Sequence, residues 1–155
     1  MAELETLYRQ VILDHNRQPR NFRRLAAPCG CTDGINVLCG DRLRVCVRLD
    51  DEQIAEVAFE GSGCAISMAS ASMMTEAVAG CTREQASAIG EAVTSLLAGR
   101  RTDALPDPLG ALAAVREFPS RVKCATLAWE ALRGALAGDD AAITTEDELQ
   151  QQNRI

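Results

Sequence analysis

Histidine and aromatic rings are scarce in this chain: one histidine, one tryptophan, one tyrosine and three phenylalanines among 155 residues. With His15 alone, a site built on two histidines is impossible within one chain, so a closed metal site has to use cysteine with aspartate or glutamate. With aromatics at 3%, the core has to come from Ala, Leu, Val, Ile and Met. Excess positive charge is also lacking. A formal net charge of −6 offers no basic face for phosphates, which excludes nucleic acid as the main partner. No apolar run is long enough to span a bilayer and no charged-then-apolar leader opens the sequence, so no membrane association is expected and the location is read as cytoplasmic.

What remains is an ordinary globular composition, 47% hydrophobic and 25% charged. The length suits one domain, expected over residues 1–138, with residues 139–155 as a polar, mobile tail in which "TEDE" could cap a short helix. Cysteine is the exception. Seven of them stand at positions 29, 31, 39, 46, 64, 81 and 124. An odd number with no secretion signal points to thiolate or metal chemistry rather than to a disulfide framework.

Periodicity places these cysteines on elements. Leu4, Leu7, Tyr8, Val11 and Ile12 have the spacing of an amphipathic helix, which Pro19 ends. A loop rich in Cys, Gly, Asp and Pro is expected over 26–36. Strict alternation follows from Arg42 to Leu49, with Leu43, Val45, Val47 and Leu49 on one side and Arg42, Arg44, Cys46 and Arg48 on the other. After the polar turn "DDEQ", Ala55, Val57 and Phe59 share a side of a second strand, giving an antiparallel hairpin. "GSGC" then opens a helix that stops at Gly80. "TREQ" fits a capping box that starts another, ending near Gly99. A final helix follows a short turn after Pro119. This order predicts an α+β domain, a small antiparallel sheet of about three strands with α-helices packed on one face.

Three cysteines share a kind of position: Cys39 before a strand, Cys64 at a strand-to-helix junction, and Cys124 at the entry to the last helix. Amide groups at a helix start lower a thiol's pKa and favour the thiolate that binds metals or attacks sulfur. Asp41 completes a set of three sulfurs and one oxygen. Zinc accepts such a tetrahedral set, and an iron–sulfur cluster can use the same positions. Spacing alone leaves the bland reading standing, with the cysteines as small buried hydrophobes and Asp41 as a turn residue.

The segments "LYRQVILDHNRQPRN", "CGDRL", "FEGSGCAISMASASMM" and "FPSRVKCATLAWEAL", in this order from about Leu7 to Leu136, resemble the U-type iron–sulfur cluster assembly scaffold family: IscU, SufU and the NifU N-terminal domain. The SufU branch is the nearer one. The interval between Cys64 and Cys124 carries the extra segment "LLAGRRTDALPDPLG", Lys123 stands where IscU-type proteins have histidine, and "FPSRVK" replaces the chaperone-recognition motif.

The resemblance implies a SufE/NifU-like fold and one Zn2+ bound by Cys39, Asp41, Cys64 and Cys124. It implies a sulfurtransferase role in which Cys39 accepts persulfide sulfur from a PLP-dependent, SufS-type cysteine desulfurase, with other cluster assembly proteins as further partners. Alternatives are a scaffold holding a [2Fe–2S] or [4Fe–4S] cluster on the same ligands, or a structural zinc module. Arg121 is expected to pair with Asp41 or with a released thiolate. His15 is read as structural, the chain as a monomer. Val37 departs from the family's usual proline. Cys29 and Cys31 have no family counterpart and are read as loop residues, with adventitious metal binding or resolution of a persulfide as a disulfide as the alternatives. Cys46 and Cys81 are given no role.

Overall fold

Alternation of branched apolar and charged residues drives the centre of the molecule into a sheet. Strand β2 (Asp41–Asp50) buries Leu43, Val45 and Val47 on one face and leaves Arg42 and Arg44 exposed on the other. It turns through Asp51, whose left-handed backbone (φ 57°) suits a short polar residue, into antiparallel β3 (Gln53–Ser62). The computed structural model describes residues 2–26, 29–37, 39–100, 105–106, 108–138 and 143–144, with side chains described from residue 9 to residue 138. The "TEDE" segment, and residues 101–104 and 107 of the long interval between Cys64 and Cys124, lie outside the described residues.

The β2–β3 hairpin differs from the simple alternation in one place. The register shifts between Arg48 and Leu49, so that Arg48 faces Glu56 while Leu49 faces Ile54. Ala55 is thereby left exposed, and Ile54 is the residue buried with Val57 and Phe59. An extra residue on one strand reverses the side-chain parity beyond it, which alternation alone could not reveal.

The expected loop over 26–36 contains a strand. β1 (Gly30–Asn36) pairs antiparallel with β2 from Gly30↔Val47 to Asn36↔Asp41. Its core-facing residues are Thr32, Gly34 and Asn36, small or polar, so no apolar alternation announces it. Gly34 is where the last helix comes down on the sheet: a Cβ there would stand 3.1 Å from Leu127 Cδ1 and 3.4 Å from Ala131 Cβ. A two-residue β4 (Ile143–Thr144) pairs parallel to Gly34 and Ile35, giving the order β3-β2-β1-β4. Three antiparallel strands thus form the sheet, and part of the expected tail extends its edge.

The helices are α1 (Ala2–Arg17), α2 (Ala65–Val78), α3 (Arg83–Leu97) and α4 (Pro119–Ala137), with a 3-10 segment at Leu109–Glu117. α4 packs on β1 and β2, α2 packs on β3 and α4, and α1 packs on α2. The α3 start has both halves of the capping box, Gln85 N–H to Thr82 Oγ1 at 3.0 Å and Thr82 N–H to Gln85 Oε1 at 2.9 Å. The Ala- and Ser-rich α2 is buried around most of its circumference, and its hydroxyls are spent on neighbours. Trp129 Nε1–H donates to Ser70 Oγ, which donates to the Ala125 carbonyl. Ser72 accepts from the Arg20 amide and shares a 2.7 Å hydrogen bond with His15 Nδ1. His15 is buried between α1 and α2, and burial, reinforced by nearby Arg20, lowers its pKa. No helix among the described residues is long and apolar enough to cross a membrane.

The reading of the cysteines as thiolate or metal chemistry rather than a disulfide framework meets one exception. Cys31 and Cys46, directly opposite each other on β1 and β2, form a disulfide. Both stand on the sheet face away from the helices, where Leu25, Ala58, Cys29, Cys31 and Cys46 make a small separate apolar cluster. A cysteine count cannot see strand register; only pairing brings residues 15 apart into bonding range.

Candidate metal centre

The β1–β2 turn sets the site. Asn36 and Asp41 are paired across the ladder, and the chain between them carries Cys39 outward before Gly40 (φ 73°) brings it back. Asp41 therefore opens β2 with its side chain on the helix-covered face, fully buried, while Cys39 is exposed. Two other elements bring the remaining sulfurs. Cys64 follows β3 as N-cap of α2, and Cys124 hangs from α4 over β1.

Three of the four expected donors meet in this corner, and the fourth, Cys64, lies beside Asp41 at its edge. The donor atoms of Cys39, Asp41 and Cys124 lie mutually within 4.8 Å. Cys124 Sγ is 3.3 Å from Cys39 Sγ, and Cys64 Sγ is 4.0 Å from Asp41 Oδ2. Metal–sulfur bonds of about 2.3 Å require sulfurs roughly 3.8 Å apart around a tetrahedral ion, close to the spacing of Cys39 and Cys124, whereas Cys64 has to turn inward to join them. Three thiolates and one carboxylate are a donor set that Zn2+ accepts, and the thiolates are those of an iron–sulfur site.

The buried carboxylate is oriented from both sides. Asp41 Oδ1 accepts from the Cys64 amide at 2.8 Å, and Asp41 Oδ2 lies 3.4 Å from the Asn36 amide nitrogen. Gly63 leaves room for this approach, since a Cβ there would be 2.9 Å from Asp41 Oδ1. Ser67 Oγ, buried beside the same gap, has no hydrogen-bond partner among the described residues. Sequence reasoning gave Asn36 no role, yet its amide donates both to Asp41 and, at 3.5 Å, to Cys124 Sγ. The signal lay in the register: an asparagine directly across the ladder from the first carboxylate of the next strand.

The sulfurs are electrostatically unequal. Cys64 sits where the sequence placed it, and its Sγ accepts from the Ser67 amide at 3.4 Å. Cys124 does not sit at a helix entry. α4 begins at Pro119, whose fixed φ and missing N–H suit the first helical position, so Cys124 is a full turn inside the helix and has no solvent exposure. Burial pushes its thiol pKa far up, with further contributions from hydrogen bonds to Cys39, Asp41 and Cys64. Its Sγ lies 3.3 Å from Cys39 Sγ, within hydrogen-bonding reach. Arg121, exposed one turn earlier, hydrogen-bonds Cys124 and feels the charge of Cys64, Cys124 and Cys39; these raise its own pKa. The sulfurs, rather than Asp41, account for that shift. Lys123 is half-buried beside Cys124.

The remaining cysteines stay apart from this corner. Cys29, Cys31 and Cys46 group on the other face of the sheet, and Cys81 follows α2 with its thiol donating to the Ala77 carbonyl.

Comparison with known proteins gives a consistent picture. The family model described as the NifU-like N terminal domain matches residues 7–140. The chain is 43% identical over 141 residues to the zinc-dependent sulfurtransferase SufU of Bacillus subtilis (strain 168), covering 90% of this chain and 95% of that protein. It is 38% identical to the iron–sulfur cluster assembly scaffold protein IscU of Streptococcus pyogenes serotype M1, covering 88% and 86%. Among solved structures, a Fervidobacterium islandicum AW-1 protein, a candidate iron–sulfur cluster assembly scaffold for the SUF system, superposes with a TM-score of 0.78 at 30% identity, over 82% of this chain and 94% of that one. The N-terminal NifU-like protein of Brucella abortus has the same fold at 23% identity, with a TM-score of 0.76 over 84% and 92%.

Proposed function

This chain belongs to the NifU-like N-terminal domain family, and on that premise we propose that it is a zinc-dependent sulfurtransferase of iron–sulfur cluster assembly, which accepts persulfide sulfur from a cysteine desulfurase of the SufS type. Cys39, Asp41, Cys64 and Cys124 would hold the Zn2+, and Cys39 is the sulfur acceptor. The setting of such a protein is the cytoplasm. The observation that carries the reading is the contrast within the donor set. Asp41 and Cys124 have no exposure and Cys64 is half-buried, whereas Cys39 stands exposed on a turn. One donor can leave the set without unfolding the rest, which a purely structural zinc site would not need.

Zn2+, when bound, keeps its thiolate ligands deprotonated at neutral pH and shields them from side reactions. The chain's own residues supply the transfer. The Cys39 thiolate attacks the outer sulfur of the desulfurase persulfide; a new S–S bond forms on Cys39, the persulfide's S–S bond breaks, and the desulfurase cysteine leaves as a thiolate. Asp41, fixed by the Cys64 amide and Asn36, keeps the inner part of the site in place while Cys39 reacts. Arg121, whose guanidinium lies against the sulfurs, offsets the negative charge on Cys39 before attack and on the persulfide after it.

A second reading, a scaffold carrying an iron–sulfur cluster on the same four residues, draws on the similarity to IscU. Metal analysis of aerobically purified protein separates the two, together with an assay of desulfurase stimulation. One zinc per chain and faster turnover of the desulfurase are expected. Protein-bound iron with visible absorption, and a desulfurase left unaffected, would transfer the case to the scaffold.

A further inference from the structure

Of the four cysteines beyond the reach of the site above, three form a group of their own. Cys31 and Cys46 are held side by side by the β1–β2 ladder, on the face opposite the helices, and Cys29 enters the same group two residues before Cys31. Cys29 Sγ is 3.7 Å from Cys31 Sγ, and the three sulfurs are mutually within 4.8 Å. The group is accessible: Cys29 and Cys31 are half-buried and line an open depression with Arg24, Arg44 and Glu60.

We propose that these residues form a second metal site, for a thiophilic cation such as Zn2+, closed while Cys31 and Cys46 are a disulfide and opened by a dithiol reductant. Opening is a two-electron exchange. The reductant's two thiols become a disulfide, the Cys31–Cys46 bond breaks, and each cysteine regains a thiol. Binding one cation then releases three protons, one from each of Cys29, Cys31 and Cys46, leaving the fourth position to water.

Geometry supports three-sulfur binding. A cation at about 2.3 Å from each thiolate separates the sulfurs by roughly 3.8–4.0 Å, near the 3.7 Å that Cys29 and Cys31 already show. Only the Cys31–Cys46 pair must part, and backbone pairing on both sides of it keeps the two residues opposed once the bond opens. Arg24 and Arg44 line the same depression, tethered 3.5 Å from Glu60 and 3.3 Å from Asp33. In the oxidised state two of three donors are withdrawn, so the site registers the thiol–disulfide balance around the protein.

Zinc stoichiometry tests the proposal, measured by competition with a chromogenic chelator on protein fully reduced by a dithiol and on protein whose only disulfide, by peptide mass mapping, is Cys31–Cys46. The reduced chain should take up one more equivalent than the oxidised chain. In reduced Cys29→Ser the extra equivalent should bind weaker by more than the roughly 10–100-fold that losing an outer-shell partner costs, while the oxidised variant matches oxidised wild type. Cys29 precedes β1 and makes no ladder contact, so this variant retains the fold; Cys46→Ser, judged by its circular dichroism, is the second variant and should lose the extra equivalent too. Equal uptake in both redox states, or an extra equivalent that persists unchanged in Cys29→Ser, overturns the proposal. The equivalent common to all forms reports the Cys39 centre, so failure of one site is distinguishable from failure of the other.

Discussion

The sheet carries a sulfur cluster on each face, and their surroundings differ more than the sulfurs do. On the helix side, Cys39, Cys64 and Cys124 come from three separate elements and converge on a buried carboxylate held by an amide on each side. On the open side, Cys29, Cys31 and Cys46 come from one hairpin and its approach, with no carboxylate among the donors and a disulfide between two of them. The two are roughly 17 Å apart along β2, the five residues from Asp41 to Cys46 at about 3.3 Å each. Cysteines from remote elements can be gathered only by the finished fold, so the first cluster depends on tertiary structure. Cysteines opposed on a ladder meet as soon as the hairpin forms, and a disulfide can capture them early.

The sharpest way to test this contrast is to remove the proposed acceptor. Cys39→Ala should reduce sulfur acceptance from a desulfurase to background, whereas Cys29→Ser should leave it at the wild-type level; persulfide labelling with a radioactive sulfur donor measures both. Equal loss in the two variants would erase the distinction between the clusters. Next comes the disulfide itself. Its 15-residue separation gives a stabilisation of about 3 kcal/mol by loop entropy. Reduction should therefore lower the urea midpoint while leaving the metal content of the helix-side centre unchanged.

Asp41→Ala should weaken metal retention by about 10–100-fold under chelator competition, a conservative figure because outer-shell partners alone cost as much. Asn36→Ala should do less. It removes a buried amide that donates to both Asp41 and Cys124, with a stability loss of about 1–3 kcal/mol expected from the groups it leaves unpaired and a smaller fall in metal affinity. An Asn36→Ala protein that behaves as wild type in both assays would show that the cross-strand amide is not part of the site.

The smallest expected effect belongs to His15, remote from both clusters. Its folded-state pKa is lowered, chiefly by burial, below the ordinary 6.5, so the unfolded chain takes up the proton first. Its contribution to stability is full above that value and lost as pH falls below it toward the folded pKa. A His15→Gln variant should show a flatter decline in urea stability over that acidic window.

Legibility from sequence was uneven for identifiable reasons. β2 and most of β3 were readable because Leu43, Val45, Val47, Val57 and Phe59 alternate with charge; the bulge that substitutes Ile54 for Ala55 leaves no mark in composition. The α3 capping box was readable because it is local, Thr82 and Gln85 being three residues apart. β1 was hidden because its inward face is Thr32, Gly34 and Asn36, chosen for close approach of α4 and for the site rather than for hydrophobicity. Cys124 was expected at a helix entry because Pro119 reads as a breaker; as the first residue of α4 it starts the helix instead.

By itself, the sequence determined the α+β class and the scarcity of histidine, properties of residue type and local period that the chain carries before it folds; it left Cys39, Asp41, Cys64 and Cys124 as candidates that the resemblance to the U-type family singled out. Only the tertiary structure decided that Cys39 stands outside while Asp41 and Cys124 are sealed within, that Asn36 reaches both of them, and that Cys31 meets Cys46. Exposure, distance and strand register arise from how remote segments pack, and no local pattern encodes them.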